Sequence, residues 1–99
     1  MNQHTYRIRS KVWLYSGQAA WHFASVPEKK AQELRKKYAH KQRGWSSLRV
    51  EATVGKTSWR TSIFYDKHSG TFLLPLKAAV RKAEQIAYDD VITVTIKIL

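Results

Sequence analysis

The stretch SLRVEATVGKTSWRTSIFYD, residues 47–66, decides the fold. Leu48, Val50, Ala52 and Val54 alternate with Ser47, Arg49, Glu51 and Thr53, a period of two that sends one side of a strand into a core and the other into water. Gly55-Lys56 supplies a tight turn, and Trp59, Thr61, Ile63 and Tyr65 then alternate against Ser58, Arg60, Ser62 and Phe64 on the way back. The pattern predicts an antiparallel hairpin.

Working outward, the same alternation recurs. Over residues 5–16, Tyr6, Ile8, Ser10, Val12 and Leu14 share one face, and Arg7, Arg9, Lys11, Trp13 and Tyr15 share the other. Gly17-Gln18 breaks that strand before the aromatic run 21–26, its expected hairpin partner. After the polar turn 67–70, residues 71–74 form a short strand closed by Pro75, and residues 91–99 put Ile92, Val94, Ile96 and Ile98 on one face of a last strand. Two helices are predicted between the strands. Ser25 and Glu28 have capping-box spacing with Pro27 in the first turn, and Ala31, Leu34 and Tyr38 recur at helical spacing over 28–39. Leu76, Ala79, Val80, Ala83 and Ile86 form the apolar stripe of a second helix over 76–87.

Six strands with so little helix cannot cover both faces of an open sheet, whereas closing the sheet removes its edges. The expectation is therefore a mainly β protein, a small six-stranded closed or nearly closed barrel with two short helices, spanning 1–99 as one domain, monomeric or homodimeric. Its predicted core holds Ile8, Val12, Val50, Val54, Ile63, Leu73, Val94 and Ile96 with Val80.

The 99 residues carry 18 Lys and Arg against 7 Asp and Glu, a net charge of +11, which attracts polyanions at long range. Cysteine is absent, excluding disulfides, thiolate catalysis and thiolate metal sites and suiting a reducing cytoplasm. No apolar run reaches membrane-spanning length, so no membrane association is expected. His4, His22, His40 and His68 are scattered without metal-ligand spacing, no G-x-S-x-G elbow occurs, and Gly44, Gly55 and Gly70 stand singly in turns. No cofactor, metal or catalytic residue is assigned.

The candidate contacts combine cations with aromatic rings, as single-strand nucleic-acid binders do. Trp45 and Trp59 are candidate stacking platforms, against the competing expectation that barrel tryptophans plug the ends of a small core. Arg43, Arg49 and Arg60 are candidate phosphate contacts, joined by Lys77, Arg81 and Lys82 on the second helix. Arg81 has competing partners in Asp89 and Asp90 near that helix's end. The leading expectation is a non-enzymatic module that binds nucleic acid or another polyanion. The second is a protein-interaction or small-ligand-responsive module, and an enzyme comes last.

The blocks WHFASVPE at 21–28, RGWSSLRVE at 43–51, WRTSIF at 59–64, SGTFLLPLKAAVRKA at 69–83 and DDVITV at 89–94 together resemble a bacterial family, domain-of-unknown-function family 1905. The resemblance runs over nearly the whole chain and implies a small closed β-barrel. It implies no activity and carries over no catalytic residue. The C-terminal third alone, from Leu74 to Val94, is similar to swapped-hairpin regulators and antitoxins related to AbrB and MazE, with Asp89 where their turn has glycine. Such a likeness of architecture does not itself imply DNA binding.

Overall fold

A computed structural model describes residues 4–15, 21–41 and 46–99. The strands are β1 (Thr5–Leu14), β2 (His22–Ser25), β3 (Ser47–Val54), β4 (Thr57–Asp66), β5 (Thr71–Pro75) and β6 (Val91–Ile98). They close a barrel in the order β1-β2-β5-β4-β3-β6, every pair antiparallel. β6 pairs with β1 and β3 of its own chain, so closure needs no swapped copy. β1 serves two partners in succession: residues 5–11 face β6 and residues 12–14 face β2.

Helix α1 (Glu28–Lys37) follows β2, and helix α2 (Ala78–Ala83) follows β5. Hairpin connectivity puts them at opposite ends of the barrel. Ala31, Leu34 and Tyr38 are buried as the helical spacing predicts, and the Arg35 guanidinium lies 4.1 Å from the Tyr65 ring centroid. The expected capping box does not form. Pro27 is the N-cap, while Ser25 ends β2 and its hydroxyl accepts the Trp13 indole N–H at 2.9 Å.

The core takes Ile8, Val12, Val50, Val54, Ile63, Val80, Val94 and Ile96, as predicted. Leu73 is a correction: Phe72 and Leu74 point inward and Leu73 outward, because its register partner is the exposed Phe64. Leu14 is exposed as well; it pairs with His22 of β2, past the point where the β1–β6 ladder ends at Lys11. α2 is shorter than predicted. Gln85 turns left-handed (φ 53°) and the Ile86 N–H reaches back to the Arg81 carbonyl, which halts the helix; Ala79 and Ala83 of the predicted stripe are exposed. Among the described residues no helix is long and apolar enough to cross a membrane. The predicted turn at Gly17-Gln18 lies outside the described residues.

Candidate binding surfaces

Alternation that fills the core also sorts the exterior. Register aligns Arg7, Thr95, Thr53 and Ser58 in one row across β1, β6, β3 and β4, and Thr5, Lys97, Glu51 and Arg60 in the next. Arg9 and Lys11 continue the cationic line along β1, and Arg49 lies opposite Ser62, to whose hydroxyl it donates at 3.3 Å. This wall therefore exposes Arg7, Arg9, Lys11, Arg49, Arg60 and Lys97 around a short ladder of hydroxyls, with Thr53 and Ser58 2.7 Å apart. Lys11 is tethered to Asp89 at 3.2 Å, an exposed pair that water screens.

The sequence-predicted site residues separate into groups. Arg49 and Arg60 lie on this cationic wall, on neighbouring strands. Lys77 and Lys82 are exposed on the α2 segment, near the barrel end where Glu84 meets the β3–β4 turn. Arg81 spends its Nε–H on the Leu76 carbonyl at 3.0 Å, whereas Asp89 binds Lys11 and Asp90 caps the Ala87 N–H. Trp59 is a correction, because it is buried in the core and its ring is closed to a ligand. Arg43 and Trp45 lie outside the described residues.

A second surface is formed by Trp13 and Trp21, to which the sequence assigns a place in the first hairpin but no contact. Trp13 is directly opposite Phe23, on the outer side of the pair whose neighbours Val12 and Ala24 are buried. Trp21 stacks on Phe23 (5.9 Å, 25°), Trp13 tilts against its neighbour Phe23 (5.1 Å, 33°) and Tyr15 meets Phe23 edge-on (6.4 Å, 84°). These rings line a groove of about 640 Å³, the size of a small-molecule site, completed by Leu14, Leu73, Asp66 and His68. Trp21 and Tyr15 remain 52% and 53% exposed, so ring surface is open to a ligand. The available signal was the order of outward residues on β1, three cations followed by two aromatics.

Asp66 closes one side of this groove. The Ser69 hydroxyl (2.7 Å), with the backbone N–H groups of His68 and Ser69, holds its carboxyl below the usual value against the opposing effect of partial burial. It is therefore a fixed anion at neutral pH. Among the described residues, no three His, Asp or Glu side chains gather into a metal-binding group.

No curated protein matches this chain. The model of a family described as Domain of unknown function (DUF1905) matches residues 9–96, nearly the whole of the barrel just described, and the chain belongs to that family.

Proposed function

We propose that this protein is a binding module for single-stranded nucleic acid, acting by recognition and not by turnover. The observation that carries this reading is the outer face of β1, where Arg7, Arg9 and Lys11 are followed by Trp13, and by Tyr15 just past the strand, beside the rings of Trp21 and Phe23. Cations that track a phosphate backbone beside rings that stack on bases are the two elements of sequence-tolerant single-strand binding. The exposed charge of β3, β4 and β6 widens the attractive wall. The cysteine-free composition is compatible with work in the cytoplasm.

The test is fluorescence anisotropy of labelled single strands over a salt series. Log K falls linearly with log salt, by about 0.7 per phosphate neutralised, and Arg9→Ala flattens the slope by about that amount. Trp21→Ala weakens binding by about 1–3 kcal/mol and leaves the slope unchanged. Absence of binding at low salt, or binding indifferent to salt, overturns the reading. The second result would favour a protein or small-ligand partner in the aromatic groove, to which the exposed Phe64 beside Leu73 adds apolar surface.

A further inference from the structure

The groove is not uniformly apolar. The Trp13 indole leans along the barrel toward Ser25, whose partner across the sheet is Leu73, and Asp66 and His68 line the same groove. In a chain of net charge +11, a carboxylate beside aromatic rings is an unusual thing to present to a polyanion. Among the described residues no lysine or arginine lies within salt-bridge distance of it. Its Oδ2 accepts from Ser69 twice, but Oδ1 accepts only a long 3.4 Å bond from the His68 N–H and keeps lone-pair capacity.

We infer that the Asp66 end of the groove is a subsite for a guanine base, an inference that rests on the single-strand reading above. Donors and acceptors decide the base. A carboxylate offers only acceptors, and guanine alone among the neutral bases carries two adjacent N–H donors, N1–H and N2–H, on its Watson–Crick edge. Adenine and cytosine pair an amino donor with a ring acceptor, and thymine or uracil flanks its one N–H with carbonyls, so each sets an acceptor against the carboxylate. His68 extends the match, since its ring carries an N–H in either tautomer and guanine O6 adjoins N1–H. The Ser69 hydroxyl and backbone N–H groups keep Asp66 ionised, the form this pairing needs. Stacking on the exposed rings of the groove supplies the base-independent part of the contact, and the phosphates follow the cations of β1, away from the carboxylate.

The same edge is present in a strand and in a free guanine nucleotide, so the experiment has both arms. Labelled oligothymidine is compared with strands carrying one central guanosine or one inosine, which lacks the N2 amine, and guanosine monophosphate is titrated separately. The wild-type chain, Asp66→Asn and Ser69→Ala are used, the last removing a support of the turn while leaving the carboxylate. We expect the guanosine strand to bind wild type on the order of tenfold more tightly than oligothymidine, inosine to lose most of that gain, and Ser69→Ala to retain it. Asp66→Asn should abolish the preference while still binding oligothymidine, which also shows that this variant is folded. An equal preference in Asp66→Asn, or none in wild type while oligothymidine binds, overturns the guanine subsite and leaves the single-strand reading standing. If no strand binds, the single-strand reading fails. In that case Asp66-dependent binding of guanosine monophosphate supports the subsite with the free nucleotide as its ligand, and no binding of it overturns the subsite too.

Discussion

Gly55 occupies a left-handed position (φ 56°) in the β3–β4 turn, and a methyl group there would collide with the Glu84 carboxylate. Glu84 is held in place by the Thr57 hydroxyl, which donates to it at 2.5 Å and ties the end of α2 to this hairpin. Gly55→Ala should therefore cost about 1–2 kcal/mol for the backbone and more for displacing Glu84. In a Glu84→Ala background only the backbone part should remain, a difference that a double-mutant cycle in urea would read. Tyr38 makes a different prediction. Its hydroxyl is 3.0 Å from that of Tyr6 and 2.9 Å from His4 Nδ1, and burial, followed by the Tyr6 hydrogen bond, raises its pKa from 10.0 to about 12. The unfolded phenol loses its proton first, so this contribution is complete below pH 10 and declines as pH climbs towards about 12. Urea melts across that window should show stability falling with pH, and Tyr38→Phe should make the fall shallower.

At the scale of elements, the strands follow directly from alternation and the helix ends do not. The 3.6-residue pattern of α2 continues to Ile86, yet the helix stops at Ala83 because Gln85 adopts the left-handed turn and the 86-to-81 backbone bond replaces the next helical one. Ile86 is nonetheless buried, so the apolar spacing was serving the packing of a capped end. Glutamine pays the steric penalty of that conformation, and Gln85→Gly should stabilise the protein by about 0.5–1 kcal/mol, seen as a raised denaturation midpoint with unchanged slope. A loss of stability would mean that the glutamine side chain holds the cap. Ser25 illustrates the converse: its spacing to Glu28 matches a capping box, but the Trp13 indole claims its hydroxyl from across the sheet.

At the scale of the whole molecule, a net charge of +11 on a chain with a 12.8 Å radius of gyration is strongly self-repulsive. Among the described residues the ion pairs are Lys11–Asp89 and Lys30–Glu33, both exposed and weak. Added salt should consequently raise the melting temperature of the free protein as it screens the repulsion, while the same salt weakens the proposed strand binding. Scanning calorimetry beside anisotropy in matched buffers would show the two trends, and a melting temperature that falls with moderate salt would refute the repulsion argument.

Alternation along the long strands, from Tyr6 to Val12, Leu48 to Ile63 and Ile92 to Ile98, determined which residues face the core, because a period of two leaves a half-buried strand no other arrangement, whereas in the short β5 it left Leu73 misplaced. It also implied closure, since two short helices cannot cover an open sheet. Which outward residues become neighbours was decided by register and strand order, long-range quantities that no local pattern encodes. Trp13 shows the difference: alternation puts it outside with Arg9 and Lys11, but only the β1–β2 register sets it against Phe23. Asp66 reads in sequence only as the last residue of the return strand. Only the pairing of β5 with both β2 and β4 brings it to the groove lined by Trp13, because residues 53 positions apart come to line one groove across three hydrogen-bonded strand pairs, β1–β2, β2–β5 and β5–β4.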